Sequence, residues 1–266
     1  MANIQLSDLE MFCQDVGRGQ PLLLVHGFPL DHRMWRHQIA SFRNSHRVLA
    51  PDLRGFGRTS VTAGTVTMAR MADDLDALLA AMDISEPITF CGLSMGGYVG
   101  LEMVTRHRSR LSRLVLSDTR AANDLPEVAK GRGIMAHRLE TEGIGFVAES
   151  MPTKLFAPET QQQRGELVAE TVDVMNGTLA RGAASAARGM AIRKDFSDRL
   201  DELDLPTLVL CGEYDEVTPP SEMREMAKRA PQAVYVEIPR AGHMSPLENP
   251  DDFNLALAGF LNGPVD

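Results

Sequence analysis

Cysteine is scarce, with Cys13, Cys91 and Cys211 the only three in 266 residues. None stands in a Cys-x-x-Cys pair, which excludes a dithiol redox motif and a zinc knuckle, and an odd count argues against a disulfide framework. The three read as buried apolar thiols in a reducing compartment. Long apolar runs are missing as well. Nothing approaches the roughly 18 residues of a membrane span. Met1 to Asp15 lacks the basic-then-apolar order of a signal peptide, so a soluble, cytoplasmic chain with no membrane partner is expected. Positive charge is in deficit: 27 Lys and Arg against 36 Asp and Glu leave a formal charge of −9. A phosphate backbone needs a basic face, so no nucleic-acid partner is expected. Basic residues gather once, at Arg106, His107, Arg108, Arg110 and Arg113, and read as a solvated helix end. No cluster of His, Cys and carboxylates has metal-ligand spacing, and no metal is expected. The sole tryptophan, Trp35, reads as a core anchor.

What is present is ordinary for a globular chain that buries a large core: 44% hydrophobic and 24% charged residues. Short apolar runs recur and each stops at a turn-forming or polar residue. Leu22-Val25 ends at His26-Gly27, Arg47-Ala50 at Pro51, and Pro87-Cys91 at Gly92. Leu114-Leu116 stops near Asp118, Leu208-Cys211 at Gly212, and Val234-Ile238 at Pro239. Strands covered on both faces look continuously apolar in this way. Helical patterns alternate with them. Met68 to Met82 carries Met71, Leu75, Leu78, Leu79 and Met82 on one stripe, and Ser221 to Ala230 and Asp251 to Leu261 follow later. This is an α/β chain with a mostly parallel sheet and helices on both faces. Ile4 to Val16 reads as a hairpin added at the sheet edge, and Asn262 to Asp266 as a frayed tail.

The alternation breaks once. About ninety residues without a convincing strand separate Leu114-Leu116 from Leu208-Leu210, against connections of roughly 2–6 residues plus a helix in such units. Residues 121–195 are therefore read as an inserted helical cap, and 1–120 with 196–266 as the core. One cap helix carries Leu167, Val168, Thr171, Val172 and Met175 on a face, and Ala180 to Ala191 is rich in small residues. Met135, Met151, Met175 and Met190 are candidates for an adaptable apolar pocket. The competing reading is a separate helical domain that touches no site.

Gly92-Leu93-Ser94-Met95-Gly96 is a Gly-x-Ser-x-Gly pentapeptide set between a strand and a helix. A serine in that turn needs strained backbone angles, and the flanking glycines let strand and helix approach. Ser94 is thus the candidate nucleophile. The Met95 N–H, at the start of the helix, is placed for an oxyanion. Acyl transfer needs a second donor, and the Phe28 N–H in His26-Gly27-Phe28-Pro29 is the candidate, with His26 as a structural ring. Of seven histidines, His243 follows the last strand at the edge where Ser94 emerges and is the candidate base. His32, His37 and His107 read as surface residues. The base needs a buried acid. Asp215 gives the chain order Ser94, Asp215, His243, and Asp118, also after a strand, is the serious rival. Asp52 is expected to brace the Asp52-Arg58 loop by pairing with Arg54 or Arg58.

Taken together, these motifs resemble the α/β-hydrolase superfamily over nearly the whole chain, from His26-Gly27-Phe28-Pro29 to Ala241-Gly242-His243. That likeness implies an eight-stranded, mostly parallel sheet, a helical cap and no cofactor. Gly92-Gly97 resembles carboxylesterases and 3-oxoadipate enol-lactonases, and His26-Leu30 also resembles cofactor-free haloperoxidases. A serine at residue 94 departs from the dehalogenases and epoxide hydrolases, which use aspartate there. The function expected is hydrolysis of a small carboxylic ester or lactone through an acyl-enzyme on Ser94. A perhydrolase and a slowly turning ligand receptor on the same fold are the alternatives.

Overall fold

The computed structural model of the protein describes residues 2–263. Eight strands run through the chain: β1 (Ala2–Gln5), β2 (Glu10–Val16), β3 (Pro21–Val25), β4 (Arg47–Pro51), β5 (Ile88–Leu93), β6 (Leu111–Ser117), β7 (Thr207–Gly212) and β8 (Ala233–Ile238). They form one sheet in the order β1-β2-β4-β3-β5-β6-β7-β8. β1 and β2 pair antiparallel and β2 joins β4 antiparallel, so the hairpin sits at the edge. The other pairings are parallel. Among the described residues, twelve α-helices accompany the strands. Three precede β6: α1 (Arg36–Phe42), α2 (Met68–Ala81) and α3 (Met95–Arg106). Six lie between β6 and β7: α4 (Pro126–Glu142), α5 (Gly145–Ser150), α6 (Pro152–Leu155), α7 (Pro158–Gln163), α8 (Gly165–Asn176) and α9 (Ala180–Ala191). The last three are α10 (Pro220–Arg229), α11 (Ser245–Glu248) and α12 (Pro250–Leu261).

Strand alternation divides the core into two layers. Leu23, Val25, Leu49, Phe90, Leu114, Leu116 and Val209 face one layer with α2 and α3. Leu22, Leu24, Val48, Cys91, Val115, Leu208 and Leu210 face the other with α1 and α12. Successive side chains of a strand point to opposite faces, so unbroken apolar runs are what a sheet sandwiched between helices requires. Trp35 is fully buried in the second layer beside Phe253.

Several strands overrun the ends read from the sequence. β5 continues through Gly92 and Leu93 because both stay in register with Leu116 and Ser117. Pro51 pairs with Cys13 at the end of β4. The tail differs too: Asn262 caps α12, and the Gly263 carbonyl accepts from Arg113 at 2.5 Å. Residues 264–266 lie outside the described residues. The basic cluster is not simply solvated. Arg106 and His107 pair with Asp73, Arg110 with Asp76 and Arg108 with Asp204. Acids of α2 therefore neutralise much of that end. No helix among the described residues is long and apolar enough to cross a membrane.

Between β6 and β7, Ala148 of α5, Leu155 of α6 and Leu167 and Met175 of α8 join the second sheet layer, and Ala186 and Met190 of α9 join the first, while α4 contributes Ala136 and Leu139 to a separate cluster. Along α9, the small residues make contact with the core chain itself. A Cβ on Gly182 would lie 1.9 Å from the Gly55 carbonyl oxygen, and one on Gly189 1.7 Å from that of Val66. Val66 N–H donates to the Ser185 carbonyl at 3.0 Å. Thr178 Oγ1 donates to the Pro29 carbonyl at 2.8 Å.

Candidate active site

Ser94 sits between β5 and α3 with φ +54° and ψ −114°. A left-handed φ is costly for a residue with a Cβ and survives only where the surroundings enforce it. Here they do. A Cβ on Gly92 would fall 2.3 Å from the Gly96 carbonyl oxygen, and one on Gly96 2.3 Å from that of Val25. Ser94 N–H donates to the Ser117 carbonyl at 3.0 Å. Its own carbonyl accepts from Gly97 N–H at 2.8 Å and from Thr119 Oγ1 at 2.7 Å. The backbone is fixed on every side while the residue itself stays partly exposed. Met95 follows as the first residue of α3, where N–H groups have no acceptor within the helix.

The loop after β3 lies against this turn. A Cβ on Gly27 would stand 3.4 Å from Ser94 Cβ and 2.9 Å from Leu93 Cδ2. The Gly27 carbonyl accepts from Leu30 N–H at 3.0 Å, which closes the turn that carries Phe28. His26 braces it. Its buried Nε2 accepts from Leu53 N–H at 2.9 Å, so Nδ1 carries the proton toward the Gly27 carbonyl, also 2.9 Å away. Burial holds this ring below its ordinary pKa, consistent with a neutral structural histidine. Phe28 packs against both the core and an apolar cluster of the inserted helices, where Met135, Ile144, Phe146 and Met151 surround Ala136, Leu139 and Val147. The four methionines therefore divide. Met135 and Met151 belong to the cluster beside Phe28, whereas Met175 and Met190 are buried in the two sheet layers.

His243, 2% exposed, lies in the loop after β8, and its Nδ1 is 2.8 Å from Asp215 Oδ2. Asp215 follows β7. Its Oδ1 accepts from the N–H groups of Val217 at 2.8 Å and Thr218 at 2.9 Å, and its Oδ2 from Thr218 Oγ1 at 2.6 Å. Burial works against the charge of Asp215, but the His243 ring and the Thr218 donors outweigh it and hold its carboxyl below the ordinary range. Burial likewise disfavours a charged His243. The Asp215 charge and hydrogen bond, helped by the Asp118 charge, overcome it and raise the ring above its ordinary 6.5.

Asp118 occupies the position next door without touching the ring. Its Oδ1 accepts from Gly212 N–H at 2.8 Å, and its Oδ2 from Ser117 Oγ at 2.6 Å and Ser245 Oγ at 2.5 Å. Full burial and the Asp215 charge push its pKa up to about 7, against the pull of His243 and the two serines. Glu213 is exposed and takes up Arg240 N–H. Glu216 is also exposed.

Among the described residues, two groups have donor atoms close enough for a cation: Asp118 with Cys211 and Asp215, all buried, and the buried Asp31 and Asp52 with the half-buried His32. Their chemistry does not fit one. The oxygens of Asp118 and Asp215 are committed as above, and the Cys211 thiol, pushed up by burial, points at the Gly212 and Thr218 carbonyls. Asp31 is held by Arg33. Asp52 binds the His32 N–H and ring and the Arg58 N–H. This corrects two expectations. Asp52 braces its loop through His32 and a backbone amide, while the Arg54 guanidinium goes to Asp74 and Asp8. His32 is not a surface residue, because the turn after Asp31 folds its ring against Asp52.

Open clefts lie elsewhere. One of about 570 Å³ runs between α1 and α8 past Leu30, Met34 and Val174, and one of about 950 Å³ past Leu208, Val234 and Phe260. Neither is lined by Ser94 or His243, so chemistry rather than size locates the site. Sequence reasoning missed Thr218, which holds Asp215, and Glu248, whose carboxylate accepts from Gly242, Met244 and Ala157.

Residues 20–250 match the family described as alpha/beta hydrolase fold. A thermophilic esterase from Thermogutta terrifontis, solved with malate bound, is 41% identical with a TM-score of 0.94, over 97% of this chain and 96% of that one. The enol-lactonase from Burkholderia xenovorans LB400 is 28% identical with a TM-score of 0.90, over 98% and 99%. The 3-oxoadipate enol-lactonase 1 of Acinetobacter baylyi is 29% identical over 87% of this chain and 84% of its own length.

Proposed function

Since the chain belongs to the alpha/beta hydrolase family, we propose that it is a serine hydrolase of small carboxylic esters or lactones, with Ser94 as nucleophile, His243 as base and Asp215 as the acid that orients it. The observation that carries this reading is the buried 2.8 Å bond between His243 Nδ1 and Asp215 Oδ2. It leaves Nε2 of the same ring as the acceptor for a proton. His243 takes the Ser94 proton as the oxygen attacks the carbonyl carbon. The carbonyl π electrons move to oxygen, where the Phe28 and Met95 N–H groups receive the charge. Collapse expels the alkoxide, which takes its proton from His243. Water then attacks the acyl-enzyme by the same route.

Residues 121–195 act as a cap over this site, and the Phe28–Met135–Phe146–Met151 cluster gives the substrate's carbon chain an apolar wall. The tight seats of Gly182 on Gly55 and of Gly189 on Val66 hold α9 close to the core. Three buried free cysteines suit a reducing, cytoplasmic setting. The Thermogutta esterase and the two enol-lactonases, by their names, support ester and lactone substrates alike.

The test is hydrolysis of p-nitrophenyl acetate, butyrate and octanoate by wild type and Ser94→Ala. Loss of such a nucleophile costs about 10⁶ in kcat, and rates should fall from butyrate to octanoate. Full activity in Ser94→Ala would sink the nucleophile assignment, and a preference for octanoate would sink the size claim.

A further inference from the structure

Glu248 ends α11 and is 6% exposed, yet among the described residues its carboxylate pairs with no cation. It is bound almost wholly by backbone. Oε1 accepts from Gly242 N–H at 2.8 Å and Met244 N–H at 3.2 Å, the residues on either side of His243. Oε2 accepts from Ala157 N–H at 2.8 Å, between α6 and α7. Burial still holds the Glu248 carboxyl above the ordinary carboxylate range, against the pull of Thr160 and these amides.

The loop it grips has no slack. A Cβ on Gly212 would lie 2.0 Å from the Gly242 carbonyl oxygen, and one on Gly242 would lie 2.7 Å from Ala157 N and 2.9 Å from the Leu155 carbonyl oxygen. The histidine loop is thus wedged between the end of β7 and the Leu155–Ala157 segment, and one carboxylate closes the wedge. Burying an unpaired carboxylate is expensive. Three N–H donors offset part of that cost and hold the loop's amides in place. A group poised for proton transfer loses about 10²-fold in rate for roughly 1 Å of misplacement.

We propose that Glu248 is a positioning residue for His243, holding the main-chain N–H groups on both sides of the histidine and tying them to Ala157 of the inserted segment. This rests on the reading of His243 as the base.

The test compares Glu248→Gln, Glu248→Asp, Glu248→Ala and His243→Ala in the full chain. It measures kcat and KM for p-nitrophenyl butyrate, and folding by circular dichroism and melting. Two amides converge on Oε1, so the glutamine oxygen takes that place and the histidine flank keeps its acceptor while Ala157 loses one. Aspartate keeps the charge but is one methylene too short to span both sets of donors. Ala should lower kcat about 100-fold with KM little changed. Gln should recover most of that loss and Asp should not. Wild-type kcat in folded Ala, or Asp equalling or surpassing Gln, overturns the proposal, as does a loss that merely tracks the unfolded fraction. If Ala does not fold, the order of Gln and Asp decides. An active His243→Ala would instead overturn the reading of the base, whereas a dead His243→Ala beside fully active Glu248 variants removes this inference alone.

Discussion

Asp215→Asn is the substitution whose consequence follows most closely from the hydrogen bonds. Oδ1 receives two backbone N–H groups, from Val217 and Thr218. An asparagine must put its carbonyl oxygen there, because an NH₂ facing two N–H donors would leave all three unpaired. Its NH₂ then occupies the Oδ2 position, 2.8 Å from His243 Nδ1. The Thr218 hydroxyl adapts by turning from donor to acceptor. The ring cannot adapt without cost. Nδ1 now faces a donor and must give up its proton, so Nε2 carries it and can no longer accept one from Ser94. A wrong tautomer of this kind lowers kcat about 10⁴-fold, which is about 5.5 kcal/mol of barrier. The fold should survive, since shape and most donors are kept. Asp118→Asn is the matched control. Its carboxyl meets Gly212, Ser117 and Ser245 but not the ring, and a loss of about 10-fold or less is expected, comparable to one neutral hydrogen bond. The assay is kcat for p-nitrophenyl butyrate on protein verified as folded. A nearly unaffected Asp215→Asn beside an inactive Asp118→Asn would overturn the assignment and give the acid role to Asp118.

The pH profile gives a second check. His243, as the proposed base, must be neutral to take a proton, and its pKa is raised above 6.5 by Asp215 despite burial. Activity should therefore be full above that raised value and fall as pH drops through it, with an acid limb above 6.5 in kcat/KM. A limb below 6.5 in wild type would contradict the electrostatics. Gly189→Ala tests the docking of α9. The new Cβ would meet Val66 backbone at 1.7 Å, which does not yield as a side-chain tip would. A cost of about 1–3 kcal/mol should appear as a lower melting temperature and faster proteolysis within 121–195, and an unchanged melting curve would show that the contact is not tight.

Much of this architecture is legible in the sequence because buried parallel strands leave continuous apolar runs, and a run as short as Leu22-Val25, closed by His26-Gly27, suits a strand covered on both faces. Strand ends are less legible. Whether Gly92 and Leu93 extend β5 depends on Leu116 and Ser117 of the neighbour, not on their own identities. The Ser94 turn can be read because its strain demands glycine at fixed offsets. The preference for Asp215 over Asp118 is less legible, because β6 and β7 are adjacent and end at the same edge. It depends on which loop turns its carboxylate to the ring, and Thr218 and Val217 turn Asp215 there. The partner of Asp52 is hidden for a similar reason. A carboxylate can meet any donor that the fold brings near, and Arg54 reaches Asp74 on α2 instead. Glu248 carries no spacing signal at all, since its partners are backbone amides and backbone has no letter in the sequence.

The proposed mechanism passes through a covalent acyl group on Ser94, which mass spectrometry of the protein quenched in acid during turnover of p-nitrophenyl acetate detects. An acetyl adduct is expected that maps by peptide fragmentation to Ser94, is absent in Ser94→Ala and does not form in His243→Ala on the same timescale. Brisk ester hydrolysis with no adduct at Ser94, or an adduct on another residue that persists in Ser94→Ala, would contradict it.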